Sequence, residues 1–261
     1  MPVYNTEKYV WVSIESILNQ SFKDFEFIII DDCSTDWSYK VCEKYTKKDS
    51  RIKLYRNRKN MWISFTRNKL IELSSTNYIA SQDSDDISLE NRLELSYNFL
   101  EKNKNYAVVS WNNIIINEDW KEIWFRKYSD NIKKVIFKKS PVSNPASMFR
   151  KDVFLEVWWY DNNVNYWLED YDLWLRIYLA WYNIKIINKP FFKYRIREWQ
   201  CKSNIKKVLE KTIEIQNKYY SKMSLWDKIY NFLERILLLF PEKFIFRLFN
   251  LLEYKKIWKK K

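Results

Sequence analysis

Glycine is absent. At ordinary usage of about 7%, a chain of 261 residues would carry roughly 18. Every backbone position that needs a positive φ must therefore be filled by a residue with a Cβ, at a steric cost. Histidine is missing as well. Cysteine occurs only at Cys33, Cys42 and Cys201, without paired or metal-type spacing, which suits a reducing compartment. No uninterrupted apolar run reaches the roughly 18 residues of a spanning helix, and no signal-peptide pattern opens the chain.

Tryptophan, by contrast, occurs 14 times. Several of these fall where a glycine belongs. Trp37 follows Ser34-Thr35-Asp36 in a predicted turn, and Trp120 follows Asn117-Glu118-Asp119 between predicted strands. Trp158 and Trp159 follow a short predicted helix. Trp181 follows one that ends at Leu179-Ala180, at the usual left-handed C′ position. The pattern points to a gene whose UGA codons specify glycine but were read as tryptophan; UGG codons at these positions would contradict that reading. Trp174 lies on an apolar helical face and is expected to be a genuine tryptophan.

Hydrophobic residues make up 47% of the chain and charged residues 30%, enough for one large domain, alone or with an appendage. The net charge of +13 favours an anionic partner: nucleic acid, an acidic membrane face or a phosphorylated substrate.

Helices and strands alternate along the first half. A helix capped by Asn5 or Thr6 is predicted to run to about Asn19, then a continuous apolar strand over Phe25–Ile30 and a helix over Ser38–Lys47. A strand over Ile52–Tyr55, a helix over Ile63–Leu73, a strand at Tyr78 and a helix over Leu89–Lys102 follow. Further strands are expected at Ala107–Ser110, Ile114–Asn117 and Glu122–Arg126, the last two as a hairpin. The start, Met1-Pro2-Val3-Tyr4-Asn5, looks like the tail of a strand, so the first strand is expected to be truncated. This alternation predicts an open, doubly wound α/β sheet, in which ligands bind beyond the carboxyl ends of the strands.

Two acidic turns lie at such ends. Asp31-Asp32 closes one strand, and Asp83-Ser84-Asp85-Asp86 follows another. Three carboxylates within four residues repel one another, and a hard divalent cation such as Mg²⁺ or Mn²⁺ relieves the repulsion and can hold a diphosphate. On spacing alone, an acidic turn capping the helix near Leu89 is an equal reading. A third acidic cluster, Glu169-Asp170-Tyr171-Asp172, opens a helix through Ala180. It serves either to complement the helix dipole or, facing the rim, as a general base.

After Pro190 the chain becomes basic and aromatic, and from Ile205 it is helical. Residues Leu225–Trp258 mix apolar side chains with charges. They suit amphipathic helices in a membrane interface, with Lys255, Lys256 and Lys259–Lys261 on anionic lipid, or a helical cap packed on the main domain. The expected organisation is a domain over 1–203 and a basic helical tail over 204–261.

Taken in order, Pro2-Val3-Tyr4-Asn5, Ile30-Asp31-Asp32-Cys33-Ser34-Thr35-Asp36, Phe65-Thr66-Arg67-Asn68, Asp83-Ser84-Asp85-Asp86 and Glu169-Asp170-Tyr171-Asp172-Leu173-Trp174-Leu175-Arg176 resemble family 2 glycosyltransferases of the GT-A fold. The resemblance covers residues 1 to about 200, and family members commonly carry glycine at the places of Trp37, Trp62, Trp158, Trp159 and Trp181. It implies a GT-A-type doubly wound mixed sheet with a C-terminal helical extension. It also implies inverting, metal-dependent transfer of a sugar from a UDP- or dTDP-linked donor to a saccharide or lipid-linked acceptor in cell-surface polysaccharide or glycolipid synthesis.

By the same resemblance Pro2, Tyr4 and Asp32 lie at the nucleotide, and Arg67 lies near the base or diphosphate. Asp83 and Asp85 form an Asp-x-Asp element for Mn²⁺ or Mg²⁺, Asp83 also near the ribose. Asp170 is the catalytic base, with Glu169 supporting it or contacting the acceptor. Where the family often has histidine after a late Tyr-Arg pair, Tyr194-Arg195-Ile196 leads here to Arg197. No Gln-x-x-Arg-Trp element is found, which argues against a processive synthase. A cytoplasmic enzyme, peripheral on the inner face of the plasma membrane, is the expected setting. The rivals are a non-catalytic membrane-bound sugar-nucleotide binder and, on charge alone, a nucleic-acid-binding protein. The acidic rim and the C-terminal concentration of basic residues disfavour the latter, so no nucleic-acid partner is expected.

Overall fold

The computed structural model describes residues 1–164, 168–197, 205–245 and 248. Cys201 and the lysines from Lys255 onward lie outside the described residues. The elements run β1 (Pro2–Val3), α1 (Val10–Leu18), β2 (Phe27–Asp31), α2 (Ser38–Thr46), β3 (Ile52–Arg56), α3 (Ile63–Leu73), β4 (Tyr78–Ala80), β5 (Ile87–Ser88), α4 (Arg92–Lys102), β6 (Tyr106–Ile116), β7 (Glu122–Arg126), α5 (Ile132–Val135), β8 (Met148–Arg150), α6 (Lys151–Glu156), α7 (Glu169–Leu179), β9 (Asn183–Arg195), α8 (Ile205–Lys218) and α9 (Leu225–Leu237).

Strands β1, β2 and β3 form a parallel sheet in that order. Every residue of β2 is buried, as expected for an apolar strand covered on both faces. α1 turns Val10, Ile14 and Ile17 toward it, and they cluster with Phe27 and Ile29. A second, mixed sheet has the order β4-β8-β6-β9-β5, with β7 paired to β6. Its spine is the parallel pairing of β6 with β9, from Tyr106↔Asn183 to Ile116↔Arg195. α7 packs Leu173, Trp174 and Ile177 into the main core beside Val108, Phe149 and Phe154. The fold is a mixed α/β arrangement, as the alternation predicts. α8 and α9 follow, and Ile215 and Met223 enter the same core.

Three boundaries differ from expectation. α1 starts at Val10, not directly after Asn5 or Thr6: residues 7–9 form a turn whose bonds run from the Tyr9 and Val10 amides to the Thr6 carbonyl (2.8 and 2.9 Å), and the Thr6 hydroxyl donates to Ser84 Oγ (3.0 Å) with no side-chain cap formed. The segments around Ala107 and Ile114 are one strand, β6. The intervening Asn112 and Asn113 are buried, their Nδ2 groups donating to Asn188 Oδ1 (2.6 Å) and Ser143 Oγ (2.7 Å). The acidic turn after β4 does not cap α4, since β5 intervenes and α4 begins at Arg92.

Among the described residues, positive φ occurs at Asn5, Cys33 and five tryptophans: Trp62, Trp120, Trp158, Trp159 and Trp181. Each tryptophan sits in a motif that normally takes glycine. After α7, the Trp181 amide bonds Tyr178 O and the Tyr182 amide bonds Ile177 O, the two hydrogen bonds of a Schellman motif. The pair Trp158→Leu155 O and Trp159→Phe154 O repeats it after α6. Trp120, at φ 67°, closes the β6–β7 hairpin through Asn117 O. Trp62 precedes α3 at φ 69°, ψ 161°, a region essentially confined to glycine. Trp37, at φ −77°, has no such demand, so its expectation as a glycine site has no backbone basis. Trp174 is fully buried, as a genuine tryptophan should be.

Trp62, Trp158 and Trp181 are 79%, 85% and 93% exposed, so their rings return little packing for the strain. A left-handed non-glycine residue costs about 1–2 kcal/mol, and the added freedom of glycine in the unfolded chain removes part of any gain. The triple variant Trp62→Gly/Trp158→Gly/Trp181→Gly should melt higher by roughly 5 °C in a thermal circular dichroism scan. Trp37→Gly should give no gain, and Trp174→Gly a loss. A triple variant that melts no higher would contradict the backbone assignment.

Candidate active site

The acidic turns are fixed by named bonds. β2 ends in Asp31, whose carboxylate accepts from the Ser34 amide (3.1 Å) and pairs with Arg56 (3.0 Å). Asp32 is buried, and its Oδ1 accepts from Asn57 Nδ2 (2.7 Å) and the Met61 amide (2.9 Å). Asn57 also donates to Thr66 Oγ1 (3.1 Å), so Asp32 is tied to α3 one residue before Arg67. Pro2 pairs with Ile30 in β1, and Tyr4 is exposed just beyond it.

The Asp83–Asp86 turn is bolted down from beneath. Gln82 Nε2 donates to the carbonyls of Asp83 (3.1 Å) and Asp86 (3.0 Å) and to Ser13 Oγ (2.9 Å), and Ser13 Oγ donates to Asp83 O (2.9 Å). From β9, the Arg195 amide donates to Asp86 Oδ1 and its guanidinium to Asp85 O, each at 2.8 Å. Arg197 pairs with Asp85 at 2.7 Å. Burial, then repulsion from Asp85 and Asp83, pushes the Asp86 carboxyl well up. Burial also raises Asp85, with Arg197 opposing and Asp83 adding to the rise.

The third cluster joins the second through one side chain. Arg67, on α3, donates through Nη1 to Glu169 Oε1 and through Nη2 to Asp83 Oδ1 (3.2 Å). The residues are 102 and 16 positions apart in sequence. Burial would lower the pKa of Arg67, but Asp83 and then Glu169 outweigh it and the net shift is upward. Its guanidinium also lies 5.6 Å from the centre of the Tyr160 ring. Asp170, next to Glu169 at the start of α7, is half-buried. Burial, then the Glu169 charge, push its carboxyl up to about 8, against the pull of Arg67.

Arg67 thus brings Asp83, Glu169 and the neighbouring Asp170 to one rim, and Asp85 joins through its own turn. Asp32 reaches that rim only through Asn57 and α3. A cavity of about 50 Å³ lined by Pro2, Arg67, Asp83 and Tyr160, among others, is too small for a sugar nucleotide. Nothing in the sequence analysis assigns Gln82, Asn57, Tyr160 or Arg195 to the site. Gln82 and Arg195 adjoin motifs in the chain, which is a signal; Tyr160 has none.

Residues 1–158 match the family described as Glycosyl transferase family 2. The chain is 35% identical over 227 residues to the O-antigen biosynthesis glycosyltransferase WbnJ of Escherichia coli, covering 81% of this chain and 88% of that one. It is 34% identical over 203 residues to an uncharacterized glycosyltransferase of Methanocaldococcus jannaschii, covering 75% and 69% respectively. The structure resembles that of S. aureus TarS in complex with UDP, with a TM-score of 0.63 at 20% identity over 82% of this chain, which spans 63% of the TarS chain. Fold and matches together define a sugar-transfer enzyme of GT-A architecture, and the chain belongs to glycosyltransferase family 2.

Proposed function

We propose that this glycosyltransferase moves a sugar, with inversion, from a nucleoside-diphosphate donor to a saccharide or lipid-linked acceptor in cell-surface polysaccharide or glycolipid synthesis. The observation that carries the proposal is the Arg67 bridge, which sets the candidate base and the Asp83–Asp86 turn on one rim. Relatives' names support the setting: WbnJ is an O-antigen biosynthesis enzyme. TarS has been solved with UDP and with UDP-GlcNAc, in keeping with a UDP- or dTDP-linked donor here.

Asp170 takes the proton from the acceptor hydroxyl. The acceptor oxygen then bonds to the anomeric carbon as the bond to the diphosphate breaks, and the nucleoside diphosphate leaves with the electron pair. Glu169 positions Arg67 and faces the acceptor. Pro2, Tyr4 and Asp32 border the nucleotide, Arg67 lies by its base or diphosphate, and Arg197 adds positive charge where the diphosphate lies.

The donor set fits a hard divalent cation. Asp83 and Asp85 offer carboxylate oxygens, here paired with Arg67 and Arg197, and beside them Asp86 Oδ2 is buried with no hydrogen-bond partner. Among the described residues no group of three or more His, Cys, Asp or Glu side chains is arranged to hold a metal. Asp85, with Asp83, would therefore hold Mn²⁺ or Mg²⁺ jointly with the diphosphate and water. Bound there, the ion would supply Lewis-acid stabilisation of the leaving group.

In this proposal residues 1–203 form the catalytic domain, and 204–261 are a helical appendage that meets the inner, anionic face of the plasma membrane. No helix among the described residues is long and apolar enough to cross a membrane.

Asp170→Asn should retain donor binding but lose roughly 10²-fold or more in turnover, the scale of a missing general base. Unchanged turnover would remove Asp170 from that role. Because Asp170 must be ionised to act, kcat/KM for the wild type should rise with pH up to about 8 before levelling. The groups facing it are Glu169, Arg67, Asp83 and Tyr160, and of these Glu169 contributes most to the rise.

A further inference from the structure

Helix α9 is built inside out. Its polar side faces the protein: Asp227, Asn231 and Glu234 are buried. Asn231 Nδ2 donates to Gln216 Oε1 of α8 (2.6 Å), and Gln216 Nε2 donates to Glu234 Oε2 (2.9 Å). Spacings of four and three place these residues on one helical stripe. The opposite stripe is apolar and faces outward. Leu225, Ile229, Phe232 and Leu233 are exposed, and Leu239 and Phe240 extend the band past the helix. Leu225 and Leu239 are 72% and 83% exposed, whereas a surface helix ordinarily buries its apolar stripe. A contiguous exposed apolar band of this kind marks an interaction surface.

Charge selects the partner. The exposed charged side chains bordering the band are mainly basic: Lys222, Arg235 and Lys243. Glu242, the acidic neighbour, is bonded to the Ile205 amide (3.1 Å). The sequence continues into Lys255, Lys256 and Lys259–Lys261, in a chain of net charge +13. Two copies meeting through this face would bring basic rims together. An anionic lipid surface satisfies both the apolar band and its rim.

We infer that the outward face of α9 is the lipid-docking surface, lying in the plane of an anionic membrane. The inference rests on the membrane setting proposed above and names the side chains that enter the lipid. It also orients the enzyme. The C-terminal end of α8 is tied to α7 by Lys218 Nζ (3.4 Å from Asp172 Oδ1), and the adjoining Tyr219 hydroxyl donates to the same oxygen (3.1 Å), two residues from Asp170. Seating α9 on lipid therefore seats α7, and the acidic cluster at its start, with it.

Sedimentation of the full chain with phosphatidylglycerol–phosphatidylcholine vesicles tests this. Wild type should bind anionic vesicles at least 10-fold more tightly than pure phosphatidylcholine. Ile229→Asp/Phe232→Asp/Leu233→Asp should lose at least 10-fold while keeping its melting temperature, since all three side chains already face solvent. Ile229→Cys in a Cys33→Ser/Cys201→Ser background, bearing an environment-sensitive dye, should shift to the blue on adding anionic vesicles; the remaining Cys42 is buried. A wild type that ignores vesicles would overturn the membrane setting itself. Equal binding by wild type and triple variant, with no dye shift, would overturn this face while leaving that setting intact. A concentration-dependent dimer of wild type that the triple variant abolishes would make the occupant a second copy and also overturn the inference.

Discussion

A single guanidinium organises the acidic rim. Asp83 follows β4 and Glu169 opens α7, and Arg67 of α3 lies between the two carboxylates and bonds both at one edge. Burying such a group costs several kcal/mol unless its charge is matched, and removing one partner of a buried pair typically costs about 3–5 kcal/mol. The bridge also sets the chemistry beside it. Asp170 is pushed up by burial and by Glu169, and Arg67 is the opposing influence that keeps an ionised form accessible. One residue thus acts as strut, spacer and electrostatic counterweight.

The same device recurs along β9. Arg195 is almost fully buried and reaches Asp85 O, Asp86 and Asn117 O, pinning the Asp83–Asp86 turn to the mixed sheet, while Arg197 covers the Asp85 carboxylate. The acidic turn is therefore held from the parallel sheet's side through α1 and Gln82, and from the mixed sheet's side through β9. A donor's diphosphate would meet a rim whose carboxylates already have cationic partners within reach. The C-terminal helices connect to this arrangement through Asp172, so the docking layer and the chemical layer share α7.

Much of this was legible in the sequence, for identifiable reasons. A continuous apolar run such as Phe27–Ile30 has few ways to be buried other than inside a parallel sheet, and the acidic residues directly after it had to fall at the strand's carboxyl end. The backbone demand at Trp158 and Trp181 could be read because a helix end followed by a left-handed residue is a local pattern. What was hidden depends on distance or on choice of side. The Arg67–Glu169 pair spans 102 positions and leaves no local trace. The expected break between Ser110 and Ile114 is absent because Asn112 and Asn113 donate to Asn188 and Ser143, partners that nothing nearby in the sequence reveals. The amphipathic pattern of α9 was visible, but periodicity does not say which face turns inward, and Gln216 decides it.

The most direct test is a double-mutant cycle between Arg67 and Glu169, read by denaturant unfolding at neutral pH and requiring no knowledge of the donor. Arg67→Met alone should be strongly destabilising, because it leaves Asp83, Glu169 and Asp170 without their shared cation. Glu169→Gln should then cost less in the Arg67→Met background than in the wild type, giving a coupling energy of about 1–3 kcal/mol. Additive effects, with no coupling between the two positions, would mean that Arg67 does not join the two acidic loops, and the single-rim account of this enzyme would fail.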